Sequence, residues 1–180
     1  SYNLESGDTA GEGTLMKLAL QSCATVGDFE ALLARSNAGG RDVSANFGVI
    51  DAGGGAATFE TSARGYVRVD AARASDGAKG LLVRSNYSRS GKKEAGSGFL
   101  REARGIELLG PPAAKGLDVA AILRAARDVA NAGIGQTGEE AGPPLVYTGD
   151  SVCRLDTVAA VVLEAPAAGE GPEAAAMWVV

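Results

Sequence analysis

The sequence predicts an α+β domain built on antiparallel sheet, and three observations predict it. Helix-period apolar stripes and short β-branched runs fall in separate blocks, without the steady alternation of a doubly wound parallel sheet. The 26 glycines and 6 prolines in 180 residues exceed the usual share of about 12%, so turns are many and elements short. An apolar content of 46% is enough for one domain, residues 1–180, with a real core.

Leu15, Leu18, Ala19, Ser22 and Cys23 recur at the spacing of one helix face, after a Gly-Glu-Gly start. Thr25 with Asp28 forms a capping box with the shorter acid, ahead of Phe29, Leu32 and Leu33, and Asn37 to Gly40 ends that second helix. Phe47 to Ala52 and Ala56 to Glu60 read as a hairpin joined through Gly53, Gly54 and Gly55. Gly65 to Val69 is a third strand, and Gly80 to Arg84 a fourth that leads into Ser85-Asn86-Tyr87-Ser88.

Phe99, Ala103, Ile106 and Leu109 make a helix stripe that Gly110-Pro111-Pro112 is expected to stop. Val119, Ile122, Leu123, Ala126 and Ala130 make another, with Asp118 as its cap. Asn131 to Thr148 lacks any period and reads as a surface loop. Ser151 to Leu155, Thr157 to Leu163 and Ala175 to Val180 read as strands, with a solvated loop at Ala165 to Glu173. The start at Ser1 and the abrupt apolar end at Val180 point to a fragment or processed chain.

Composition also excludes. No histidine is present, which removes Ser-His-Asp and Cys-His nucleophiles and histidine metal sites from this chain. A net charge of −5 offers nothing to nucleic acid, and no apolar run approaches the roughly 20 residues that span a bilayer. Cys23 and Cys153 are too few for a disulfide framework. A single bridge between them is open, and two buried thiols behaving as small hydrophobes is the favoured reading.

The triple glycine joins strand to strand, whereas a phosphate loop joins strand to helix, so it is a turn, with Asp51 as its hydrogen-bonding residue. Arg84 to Arg104 carries six cations against Glu94 and Glu102. That is either a solvated face or a pocket mouth for a carboxylate or phosphate, for which the arginine fork is suited. Asn86, at the end of an expected strand, either ties down the next turn or donates its side-chain N–H to a developing oxyanion.

Several blocks, in order, carry a family resemblance: Ser1-Tyr2-Asn3-Leu4, the helix Leu15 to Val26, the hairpin Asn46 to Glu60, Leu82 to Ser88, and Leu100-Arg101-Glu102-Ala103-Arg104. They resemble linear amide carbon–nitrogen hydrolases of the N-terminal nucleophile type, the group of choloylglycine hydrolase, penicillin V acylase and the penicillin acyltransferase. The match covers most of residues 1–110 and, more loosely, the closing strands through Trp178.

The resemblance implies a four-layer αββα sandwich, incomplete in this chain. It also implies an amidase or acyltransferase without cofactor or metal, acting on a small-molecule amide or acyl substrate. In that family an N-terminal cysteine attacks the carboxamide and its own α-amine, with a pKa of about 7.7 to 8.0, serves as base, which makes histidine dispensable. Carried over by position, Asn86 matches the oxyanion asparagine and Arg101 the arginine that supports the nucleophile. Arg104 is a substitute for Arg101, and Tyr2 or Asn3 falls near the second oxyanion donor. Arg84 and Tyr87 flank the asparagine as candidate substrate-binding residues.

In relatives the catalytic cysteine lies upstream of the block that begins here at Ser1. Three readings follow: an amidase whose nucleophile lies in a preceding segment, a non-catalytic binding or structural domain of the same fold, or Ser1 itself as N-terminal nucleophile. The missing segment or a second copy of the chain is the expected macromolecular partner, and the family slightly favours a periplasmic or secreted protein.

Overall fold

The computed structural model describes residues 11–42, 44–95, 97–131, 134–136, 147–167 and 169–180. Its mixed α+β architecture with antiparallel sheets matches the coarse expectation. Helix α1 (Glu12–Ser22) and helix α2 (Val26–Gly39) precede three strands, β1 (Ala45–Ile50), β2 (Ala56–Thr61) and β3 (Tyr66–Asp70). The strands pair antiparallel in the order β1-β2-β3, with Phe47 opposite Phe59 and Asn46 opposite Glu60.

The capping box holds as read. Thr25 Oγ1 accepts from the Asp28 N–H at 3.1 Å, and Asp28 Oδ2 accepts from the Thr25 N–H at 3.0 Å. Asp51 is the turn residue expected, because its carboxylate accepts from the N–H groups of Gly53 and Gly55. It also accepts from the Val26 N–H at 2.9 Å, so one side chain ties the hairpin turn to the start of α2 and holds its carboxyl below the ordinary range.

Strand alternation divides the sheet into two faces. Phe47, Ala57 and Phe59 point to the helices and form the core with Val26, Phe29 and Leu33. Phe29 meets both other phenylalanine rings edge-on, at centroid distances of 5.8 and 5.1 Å. The opposite face presents Asn46, Thr58 and Glu60 to residues 84–90, which cross the sheet and in turn pack on a third helix, α3 (Phe99–Ala113). A fourth helix, α4 (Val119–Ala126), is capped by Asp118, whose carboxylate accepts from the Ala121 N–H. A second sheet is a lone antiparallel hairpin, β4 (Val161–Glu164) with β5 (Ala176–Val179). One of its faces, Val161, Leu163, Met177 and Val179, lies more than half exposed.

Five expectations need correction. Gly80 to Arg84 joins no strand ladder. Residues 74–83 fold into tight turns, with the Gly80 N–H on the Ala74 carbonyl and the Val83 N–H taken by the Asp76 carboxylate. Helix α3 runs through Pro111 and Pro112 to Ala113, because prolines in the last turn remove only donors to the carbonyls four residues back. Gly110 sits there for packing, since a Cβ on it would lie 3.2 Å from the Gly77 Cα.

Ser151 to Leu155 forms turns docked on the end of α4, with the Cys153 N–H bonded to the Asp128 carbonyl and Ser151 Oγ to the Val129 carbonyl. Helix α4 stops at Ala126, short of Ala130, as the chain tightens into turns at Arg127 and Asp128. Cys23 and Cys153 are free and partly exposed, neither bridged nor fully buried. None of the described helices is long and apolar enough to cross a membrane.

Candidate functional site

Asn86 and Arg101, 15 residues apart in sequence, meet in space. An Arg101 Nη2 N–H donates to Asn86 Oδ1 at 2.8 Å. Arg101 is buried, at 8% exposure, on the first turn of α3. A guanidinium has only donors, so the atom of Asn86 that faces it must be the carbonyl oxygen. The Asn86 amide nitrogen is thereby turned the other way, and Asn86 is exposed.

The charge around Arg101 sets it apart from its neighbours. Arg84 pairs with Asp76 at 2.8 Å and Glu60 at 3.4 Å, and Arg89 pairs with Asp76 and with Glu102, each at 2.7 Å. Arg104 pairs with Asp128 through two bonds and with Glu107, and the Asp128 bonds push its pKa further up. Arg101 has no carboxylate partner among the described residues. Its other bond among the described residues is a long one, 3.3 Å, to the Gly149 carbonyl. A buried cation met only by neutral acceptors is costly unless an anion completes it.

The backbone that carries Asn86 is fixed from both sides. Asn46, on β1, donates from Nδ2 to the carbonyls of Ser85 and Tyr87, both at 2.8 Å, and its Oδ1 accepts from Ser88 Oγ. On the other side Ser85 Oγ donates to the Gly98 carbonyl and accepts from the Tyr87 N–H. Gly98 has φ +106°, and a Cβ there would stand 2.7 Å from Ser85 Oγ and 3.3 Å from the Asn86 nitrogen. Only glycine permits that approach.

Below this loop lies a buried ionic cluster. Glu60, at 2% exposure, accepts from the N–H groups of Arg89 and Ser90 and from Ser90 Oγ. Burial alone would raise the Asp76 carboxyl, but bonds from Arg89, the Val83 N–H and Arg84 bring it below its ordinary value. Arg84 is thus held inside the fold by carboxylates rather than open at a pocket mouth. Tyr87 is likewise buried, its hydroxyl accepting from the Glu94 N–H and its ring edge-on to Phe99 at 6.1 Å.

Ser1, Tyr2 and Asn3 lie outside the described residues. The structure therefore brings Asn86 and Arg101 together and gives Arg84, Tyr87 and Arg104 other partners. The clamp by Asn46 and Gly98 was not legible from these residues' own types.

Chemically, the arrangement is a neutral amide donor oriented by a buried cation, suited to an oxygen that gains negative charge. No cluster of metal-binding type occurs among the described residues. Comparison with known protein families, curated proteins and solved structures finds no match.

Proposed function

We propose that the chain is part of an N-terminal-nucleophile amidase or acyltransferase that acts on a linear carboxamide. Its finer architecture on this reading is a four-layer αββα sandwich that is incomplete in this chain. The nucleophile is a cysteine at a processed N-terminus that precedes Ser1.

One observation supports the reading: Arg101 donates to Asn86 Oδ1, which leaves the N–H groups of the exposed Asn86 amide for an oxyanion to accept. The thiolate attacks the carbonyl carbon of the substrate, and the carbonyl π electrons move to oxygen. Asn86 donates to that oxygen. Collapse expels the amine, which takes its proton from the ammonium formed when the α-amine accepted the thiol proton, and leaves an acyl-thioester. Water or a second amine then resolves it. The unneutralised charge of Arg101 favours the anionic species at each stage.

The test is to incubate the protein carrying its native N-terminus with an N-acyl p-nitroanilide, quench early and locate the adduct by mass spectrometry. An acyl group on an N-terminal cysteine is expected. An acyl group on Ser1 replaces the cysteine by serine. Release of p-nitroaniline with no adduct and no dependence on the N-terminus overturns the proposal.

A further inference from the structure

Asn46 does for the loop what no other described side chain does: it engages the peptides on both sides of Asn86 at once. Its two amide hydrogens go to the Ser85 and Tyr87 carbonyls, and its oxygen receives the Ser88 hydroxyl. A primary carboxamide is the side chain that offers two donors and an acceptor in one plane. Its position is fixed in turn by the ladder, where Asn46 stands opposite Glu60, the anchor of Arg89 and Ser90.

We propose that Asn46 is a positioning residue for the reaction, setting where the Asn86 donor is aimed without touching substrate. The inference rests on the amidase reading above. It follows from the geometry of oxyanion stabilisation, because a donor acts only when its N–H stands at the distance of the developing oxygen, and a misplacement of about 1 Å is worth about 10²-fold in rate. Arg101 fixes the rotation of the Asn86 amide, and Asn46 fixes the backbone from which that side chain springs.

The discriminating variant is Asn46→Asp, which keeps the shape and the acceptor for Ser88 but replaces the donating nitrogen, with both its hydrogens, by an oxygen facing the Ser85 and Tyr87 carbonyls. In the protein with its native N-terminus, kcat for an N-acyl p-nitroanilide is expected to fall about 10²-fold with KM unchanged. The Asn86 side-chain amide resonance in a 15N-labelled sample is expected to move. A role in stability alone would lower the melting temperature and leave both readouts at their wild-type values, which overturns the inference.

Asn46→Ser keeps one donor and carries the same test if the aspartate variant does not fold. Its kcat is expected between the other two, and a wild-type kcat overturns the inference. If Asn86→Ala is inactive while both Asn46 variants turn over normally, this inference fails alone. If Asn86→Ala is fully active, the amidase reading fails and takes the inference with it.

Discussion

Two regions of the molecule each bury an arginine that pairs with no carboxylate among the described residues, and they solve the problem differently. Arg41, at 6% exposure, donates to the carbonyls of Leu33, Ser62 and Gly65, to Ser36 Oγ and to Asn37 Oδ1. It closes the C-terminal end of α2, where the helix dipole supplies partial negative charge. Burial pushes its pKa down, yet the residue remains a cation because arginine does not deprotonate in proteins.

Arg101 makes two bonds among the described residues, of which one is long. The comparison teaches that burial alone does not mark a structural arginine. Saturation of its donors does. Arg41 is satisfied by its own fold, and Arg101 is left with capacity beside an exposed amide.

Substitution separates the two most sharply at Arg41. Arg41→Met leaves the Leu33, Ser62 and Gly65 carbonyls without that donor, and an orphaned buried group costs about 1–3 kcal/mol. A loss of about 3 kcal/mol in chemical denaturation is expected, with kcat of the folded fraction unchanged. Arg101→Met is expected to invert this: a stability loss of about 1 kcal/mol or less, because few bonds are broken, and a fall in kcat of about 10²-fold. Equal stability losses in the two variants would erase the distinction.

The ionic cluster beneath the Asn86 loop gives a pH-resolved version of the contrast. The Asp76 carboxyl sits below its ordinary value in the fold, so its contribution is present above the unfolded value of about 3.9 and is lost as pH falls through the folded one. Asp76→Asn should therefore lower the melting temperature by a similar amount at every pH above about 4, and the two curves should converge only as pH falls further below that value. Curves that stay parallel well below about pH 4 would remove Asp76 from the account. The smallest effect is expected at the other end of α2. Thr25→Ala deletes one side of the capping box and should lower stability by about 1 kcal/mol.

How much of this was legible in the sequence follows from how local each cause is. The capping box at Thr25 and Asp28, the Asp118 cap and the glycine turn after Asp51 depend on residues a few positions apart, and all three formed as read. Gly80 to Arg84 has the composition of a strand, but a carboxylate at Asp76 takes its backbone donor and Arg84 is drawn to Glu60 and Asp76. Tertiary ion pairing overrode local preference there.

The resemblance singled out Asn86 and Arg101 separately, the one for an oxyanion and the other for the nucleophile, and their hydrogen bond to each other was legible neither from it nor from spacing. The separation of Arg101 from Arg104 was beyond the sequence, because it turns on Asp128, 24 residues further along, reaching one and not the other. Asn46 escaped notice for the same reason, since its partners lie 39 to 42 residues away.

The central claim is that Asn86 is an oriented oxyanion donor, and the most direct test is kcat/KM of Asn86→Ala measured alongside its melting temperature, in the protein with its native N-terminus. The account predicts a fall of about 10²- to 10³-fold, with the melting temperature close to wild type because the side chain is exposed and its amide nitrogen holds no hydrogen bond among the described residues. Turnover at the wild-type rate would contradict it.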